Sequence, residues 1–349
     1  SKALLAPPRP AETIRATKMF GIEGRDTRVN FPDVHRHVHA TIAAAARDDS
    51  AERLTGLGVR VVHAQAKFKD RNTVAAGDTD IRARRFVIAT GSKPALPPIP
   101  GLDSGPYLTS ESIFGLTERP EHLIIIGAGP TGLELAQGFR RLGSSVTVLE
   151  AAHPPERDDP ECAAVVLARL EHEGVVIRSG VNVAGIAHSG RTVTATIESG
   201  GAEQTITGSH LLVAVGRSPS ITDLVLEAAG IHHERSGIVV DGKLKTSNRR
   251  VYAIGDCIAG APRLAHAADY HAGLVIRNAL FRLRARVNDD CIPRVTFTDP
   301  ELAQIGLTEA EAGQRGIKIR VTRWPYHDND RAQADGEPTG HIKVITTGK

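Results

Sequence analysis

The sequence predicts an α/β protein with parallel sheets. Short apolar runs are separated by turns, helical patterns follow several of them, and one run enters a glycine-rich turn. The runs are Val59–Val62, Phe86–Ala89, Leu123–Ile126, Val146–Leu149, Leu211–Val215 and Val251–Ile254, each too short for a helix and each expected to be a strand. Behind Leu123–Ile126 a helical pattern puts Leu135, Phe139 and Leu142 on one face, and a further helix is expected over Ala272–Arg286. The proline-rich stretch Lys93–Gly101 can neither propagate a helix nor pair as a central strand, so it reads as an ordered linker. Domain boundaries are expected between this linker and about residue 120, near Asp241, and in the polar stretch Val287–Asp290.

At 349 residues and 41% hydrophobic content, the chain can bury a core in each of two or three domains. Its 43 basic and 40 acidic residues lie without long like-charge blocks and give no footprint for nucleic acid or an anionic membrane. No apolar run has the length of a membrane span and no signal-peptide pattern opens the chain, so a cytoplasmic location is expected. The three cysteines, Cys162, Cys257 and Cys291, lie too far apart for a short redox or zinc motif. His35, His37 and His39 alternate, a spacing that scatters imidazoles around a helix, and no metal site is expected there.

The sharpest motif is the run Leu123–Ile126 followed by Gly127-Ala128-Gly129-Pro130-Thr131-Gly132 and then Leu133-Glu134. A strand entering G-x-G-x-x-G and leaving as a helix is the context a dinucleotide site needs. Gly127 permits the tight turn, Gly129 lets the main chain approach a diphosphate, and Gly132 lets helix and strand lie close. The free N–H groups of the helix start attract the phosphates. The next strand ends in Glu150, placed to hold a ribose diol and to repel a 2′-phosphate. Ala151 and Ala152 follow where an arginine would grip that phosphate, so NAD is favoured over NADP, with Arg157 the residue that could still turn toward it.

Several further segments, in order, carry a resemblance along essentially the whole chain. They are Ser1-Lys2-Ala3-Leu4-Leu5, Ala89-Thr90-Gly91-Ser92, Gly216-Arg217-Ser218-Pro219, Val251-Tyr252-Ala253-Ile254-Gly255-Asp256, Arg263-Leu264-Ala265-His266 and Thr298-Asp299-Pro300-Glu301. With the fingerprint they resemble the pyridine nucleotide-disulfide oxidoreductases, in the branch of dihydrolipoamide dehydrogenases and mercuric reductases. The resemblance implies two Rossmann-like dinucleotide-binding domains, for FAD and NAD(P), and the start of an α+β dimer-interface domain. On that pattern, residues 1–120 and 242–286 belong to the FAD domain, 121–241 to the NAD domain and 287–349 to the dimerisation domain. The expected cofactors are FAD and NAD, and the expected partners are a small-molecule or protein-bound disulfide or dithiol and a second copy of the chain.

The same resemblance assigns residues. Thr90, Gly91 and Ser92 pass close to the flavin nucleotide, Gly216 closes the NAD domain, and Gly255 and Asp256 form the second flavin motif. Asp256 is suited to hold the ribityl chain, since an ionised carboxylate makes the stronger hydrogen bond. Leu264 and Ala265 act through their amides under the flavin ring, with His266 a contact beside them. Lys2 lies against the flavin and pairs with Glu134, a fixed positive charge that stabilises the reduced ring.

Two departures stand out. Ala6-Pro7-Pro8-Arg9-Pro10 interrupts the family's long first helix, which is expected to be kinked or restarted at Ala11. Both ends also look cut: the first flavin fingerprint and the redox cysteine pair are expected upstream of Ser1, and the catalytic histidine-glutamate motif downstream of Lys349. No catalytic residue is therefore assigned within the chain. Dihydrolipoamide dehydrogenase-like and mercuric reductase-like readings both stay open, Glu150 leaning to the first, and so does a catalytically incomplete nucleotide-binding fragment.

Overall fold

The structure, a computed structural model, describes residues 2–16, 28–152 and 158–347, so Ser1, Arg157, Gly348 and Lys349 lie outside the described residues. The chain divides into two units. One comprises residues 1–45, 95–216 and 293–349, and the other 46–94 and 217–292.

The first unit is built on a five-stranded sheet in the order Leu108–Thr109, His210–Val213, His122–Ile126, Ser145–Glu150, Val176–Ser179, with every neighbour parallel. Its central strand is apolar throughout Leu123–Ile126 because both faces are covered. Leu123 and Ile125 pack with Leu133, Leu135 and Phe139 of the helix Pro130–Arg141. Ile124 and Ile126 point the other way, into a core with Ile186, Val193, Ala195 and Ile197. Those residues come from the antiparallel strands Asn182–Ser189 and Thr192–Ser199, which Ala202–Gly208 completes. The strands following His122–Ile126 depart to one side and His210–Val213 returns on the other. The chain order thus reverses beside the central strand, where α/β sheets open a crevice.

Residues 293–349 add two antiparallel pairs, Arg294–Thr296 with Leu302–Gln304 and Ile319–Pro325 with His341–Thr347. The helix Glu309–Gln314 is started by a capping box between Thr308 and Glu311. At the other end of the chain the helix Lys2–Leu5 breaks at Ala6-Pro7, as expected. The restart comes at Pro8 and not at Ala11, because prolines in a first turn lack only N–H groups that a helix start leaves unpaired.

In the second unit, Phe86–Ile88 lies parallel to Val251–Ala253, and Ala66–Asp70, Thr73–Ala76 and Thr79–Arg82 form an antiparallel meander. The core gathers Phe68, Ile88, Leu226, Ile231, Tyr252, Cys257, Leu274 and Val275.

Three expectations need correction here. Val59–Val62 is not a strand: the Val59 amide returns to the Leu54 carbonyl at the end of the helix Ala51–Gly56, and Val59 and Val62 are exposed. The expected helix Ala272–Arg286 runs instead over Ala265–Ala279. Arg282 takes a φ of 56°, and the Asn278 side chain bonds both the N–H and the C=O of Ala285, turning the chain back. Ser92–Pro94, which overlaps the start of the expected linker, pairs with Arg217–Pro219 in a two-stranded ribbon, a setting that tolerates proline.

Candidate functional site

The first unit holds the fingerprint loop where its sheet reverses order. Gly127 adopts φ +108°, and a Cβ there would stand 2.6 Å from the Ala214 carbonyl oxygen, so only glycine lets the exit of the strand His122–Ile126 pass the end of the strand His210–Val213. Gly132 has an ordinary φ but no room: a Cβ would sit 2.0 Å from the Gly127 carbonyl oxygen. Gly129 is the opposite case, with nothing within 4 Å of a Cβ position. Gly127 and Gly132 therefore shape the turn, and Gly129 keeps space open above it.

Gly129 is also the N-cap of the helix Pro130–Arg141, with Pro130 in its first position and no side chain capping it. Thr131 and Gly132 complete the first turn of that helix, whose N-cap supplies no side-chain acceptor for its donors. Ala128 is buried, and its amide donates to Glu150 Oε2 at 2.7 Å. Glu150 Oε1 accepts the Ala152 amide at 3.0 Å, so the carboxylate is fixed by two main-chain donors at the mouth of the loop. Gly216, beyond the strand His210–Val213, has φ +109° and open space at its Cβ position. The structure thus brings Gly127 to Gly132 and Glu150 together, as the spacing predicts. An open cradle, uncapped helix donors and a carboxylate beside them fit a diphosphate and a ribose diol.

Leu133 and Glu134 follow on the helix. Leu133 is 2% exposed and packs in the core, so it shapes the site only through its backbone. Glu134 is 6% exposed and its Oε1 accepts the amide of Phe297 at 3.0 Å. The Lys2 ammonium stands 4.3 Å from the centre of the Phe297 ring. Lys2 and Glu134 thus converge on one residue that the sequence reading did not single out. Three and seven residues along the helix from Glu134, Gln137 and Arg141 hold Asp299 by its backbone and its carboxylate, so one helix face clasps residues 297–299.

Arg141 and Glu173 form a buried pair at 2.6 Å, with Asp299 at 2.8 Å. Burial alone would lower the guanidinium pKa, but the hydrogen bonds and charges of Glu173 and Asp299 outweigh it and hold the pKa above its ordinary value. Arg169 and Gln137 donate to the same Glu173 carboxylate, which is therefore fully engaged.

The second unit assembles the other predicted residues. Gly255 takes φ +68° in the tight turn Gly255–Cys257, where the strand Val251–Ala253 ends. Asp256 Oδ2 accepts the Ser92 hydroxyl at 2.6 Å, and Arg217 Nε donates to that hydroxyl oxygen at 2.6 Å. Arg217 also donates to the Ser92 carbonyl and stands 4.0 Å from Asp256. Gly91 has φ +64° with open space at its Cβ position, and Thr90 precedes it in the chain. Burial pushes the Cys257 thiol pKa up, and Cys257 sits as a small buried residue between the carbonyls of Ile88 and Ile254.

Leu264 is the N-cap of the helix Ala265–Ala279, again with no side-chain cap, and Ala265 and His266 are exposed in its first turn. Open glycine surfaces, a partly exposed carboxylate and an uncapped helix start are compatible with a second nucleotide. Arg217 lies inside the quoted Gly216–Pro219 motif, but no local pattern ties it to Ser92, 125 positions away. His35 and His39 sit one helical turn apart and bond the carbonyls of Leu116 and Phe114.

Comparison with known proteins sets these sites in a family. The family model described as pyridine nucleotide-disulphide oxidoreductase matches residues 1–272, and the one for its dimerisation domain matches residues 292–349. The chain belongs to this family. The mercuric reductase of Bacillus cereus is 32% identical over 351 residues, covering 100% of this chain and 56% of that protein. The dihydrolipoyl dehydrogenase of Geobacillus stearothermophilus is 32% identical over 352 residues, covering 99% and 74%. Among solved structures, the Cu(II) complex of the flavoprotein disulfide reductase RclA from Escherichia coli superposes with a TM-score of 0.83 at 28% identity, covering 99% and 76%.

The chain thus spans little more than half the length of that mercuric reductase. The family and these relatives are oxidoreductases that use FAD and NAD(P)H, built on Rossmann-type domains, in line with the predicted fold class and cofactors. Among the described residues, no helix is long and apolar enough to cross a membrane.

Proposed function

We propose that the protein of which these residues are part transfers electrons between NAD(H), FAD and a disulfide or dithiol, in the manner of a dihydrolipoamide dehydrogenase. In this reading residues 121–241 form the NAD domain, 1–120 and 242–286 the FAD domain, and 287–349 part of a dimerisation domain that joins two copies in the cytoplasm. The observation that carries it is the Glu150 carboxylate, held by the amides of Ala128 and Ala152 beside the fingerprint loop. There it can accept from a ribose diol, and it repels a 2′-phosphate.

FAD, when bound, supplies the two-electron redox chemistry; the protein supplies position and charge. The amides of Gly129, Thr131 and Gly132 would hold the NAD diphosphate, and Gly216, beyond the strand His210–Val213, would leave room beside it. Asp256, Ser92, Thr90 and Gly91 would hold the flavin nucleotide, with Leu264, Ala265 and His266 at the start of their helix alongside it. Lys2, backed by Glu134 through Phe297, would place a positive charge where the flavin gains electrons. All three cysteines are free and separate, so the redox disulfide is assigned to residues outside this stretch.

A mercuric reductase-like activity is the second reading, favoured by the 32% identity to the Bacillus cereus enzyme over the whole of this chain. Purified full-length protein decides between them. NADH-dependent turnover with lipoamide supports the first, and mercuric-ion reduction supports the second. In the same preparation, Glu150→Gln is expected to weaken NADH binding by about tenfold, since a charged acceptor is lost, while affecting NADPH far less. Equal losses for both nucleotides, or a wild-type protein that binds neither, would overturn the assignment of Glu150.

A further inference from the structure

The turn that presents Asp256 is held from behind by a histidine belonging to none of the motifs. Ile254 leaves its strand extended, at φ −137° and ψ 153°, and Gly255 then swings to φ +68°. That conformation suits glycine, and a Cβ there would also stand 2.9 Å from the Ala268 methyl group. The Gly255 amide points at the helix Ala265–Ala279 and donates to His271 Nδ1 at 3.2 Å. A backbone amide can only donate, so Nδ1 is unprotonated and the ring carries its proton on Nε2.

His271 is 1% exposed and shares its helix face with Ala267, Leu274 and Val275. Its Nε2 has no hydrogen-bond partner among the described residues. A stranded buried donor carries its full desolvation cost. Leucine would fill such a face without that cost, so packing alone does not call for histidine. What the imidazole provides, and an aliphatic side chain would not, is an acceptor for the Gly255 amide.

We propose that His271 is a positioning residue: its Nδ1 fixes the left-handed turn at Gly255 and with it the direction in which Asp256 presents its carboxylate. The proposal rests on the reading of Asp256 as a flavin contact. Protonation of Nδ1 would set one N–H against another and release the turn. Burial lowers the pKa of His271 from its ordinary value, with Asp289 opposing, so the neutral ring persists at neutral pH. Beside Asp289, the Tyr270 ring lies 6.0 Å from that of His271, and Asp256 and Cys257 follow Gly255 in the turn that the imidazole holds.

The test compares His271→Leu with His271→Asn in the full chain. Asparagine can offer an amide oxygen near the place of Nδ1 and does not titrate. Amide exchange at Gly255, which needs no bound flavin, is expected to quicken by about 2–10-fold in H271L and to stay near wild type in H271N. FAD affinity should follow the same order. As pH falls below the ordinary imidazole range, wild type should lose flavin affinity and H271N should not.

Unchanged Gly255 exchange in H271L, or H271N impaired as much as H271L, would overturn the proposal. Asp256→Asn separates the two levels. If D256N binds FAD like wild type, the flavin role of Asp256 fails and the positioning role toward flavin fails with it. Gly255 exchange still reports whether His271 holds the turn.

Discussion

The fingerprint loop of the first unit and the Gly255–Cys257 turn of the second are both strand exits shaped by a glycine at positive φ, yet they are stabilised in different ways. In the first, the constraints on Gly127 and Gly132 are main chain against main chain, from the carbonyls of Ala214 and Gly127, and the one side chain described as holding the loop is Glu150, 22 positions from Ala128. In the second, side chains do the holding. Ser92 reaches Asp256 across 164 positions of sequence, Arg217 reaches Ser92 across 125, and His271 reaches Gly255 across 16. A site made of backbone allows little substitution, whereas a site made of side chains can be rebuilt from other residues.

The largest expected effect tests whether side chains carry weight in the first unit as well. Arg141 and Glu173 are 3% and 5% exposed, and Arg141→Met would leave Glu173 buried without its bidentate partner. Removing one member of such a pair costs about 3–5 kcal/mol, so chemical denaturation should show a loss of that order. NADH affinity of the protein that remains folded should be nearly unchanged, because Arg141 faces residues 297–299 and not the loop. A loss of NADH affinity matching the loss of stability would erase the distinction between the two kinds of site.

Next in size is a contrast between two glycines of one motif. Gly132→Ala must displace a carbonyl 2.0 Å away, with an expected cost of about 1–3 kcal/mol in stability and the loss of most nucleotide binding. Gly129→Ala has ordinary dihedrals and nothing within 4 Å, so it should melt like wild type and still bind NADH poorly, its methyl occupying the open cradle. Thermal melting and calorimetric titration of both variants check this. If G129A binds NADH at wild-type strength, the diphosphate does not lie over that glycine.

These two regions also account for what could be read in the sequence. The loop was legible because its constraints are local: Gly127, Gly132 and Glu150 each have a steric or electrostatic reason that spacing alone displays. Asp256 and Ser92 were reached only through family resemblance, and their hydrogen bond and its Arg217 support depend on a fold that brings distant residues together. His271 left one weak trace, a histidine on the apolar face with Ala267, Leu274 and Val275. Val59–Val62 misleads because a short apolar run becomes a strand only where a partner strand supplies the hydrogen bonds. The helix expected to reach Arg286 ended at Ala279 because the Asn278 side chain takes over Ala285, a choice made by one hydrogen-bonding residue inside an otherwise helical pattern.

A smaller effect is expected at Ser92, whose hydroxyl donates to Asp256 and accepts from Arg217. Ser92→Ala leaves those two groups 4.0 Å apart, close enough for the guanidinium to close part of the gap. One net hydrogen bond is about 0.5–1.5 kcal/mol, so FAD affinity should fall by about 2–10-fold, measured by flavin fluorescence on titration. A loss as large as that of D256N would mean that side-chain sites are as intolerant as backbone ones.

The smallest effect belongs to a surface network that should touch neither nucleotide. Glu161 accepts from Arg323 at 2.6 Å through both oxygens and from Lys343 at 3.1 Å, and these bonds push its pKa down to about 2, from an ordinary 4.5. A carboxylate depressed in the folded state stabilises the fold above its unfolded pKa. That contribution is lost as pH falls from 4.5 through about 2. Glu161 is 42% exposed, so solvent screening limits the gain to under about 1 kcal/mol. Wild type should therefore exceed Glu161→Gln slightly in stability at neutral pH, and the two should converge in acid, with NADH and FAD affinities alike throughout. A stability gap that does not change with pH would show that the network contributes packing and no charge pairing, and a change in either affinity would place this surface within reach of a site.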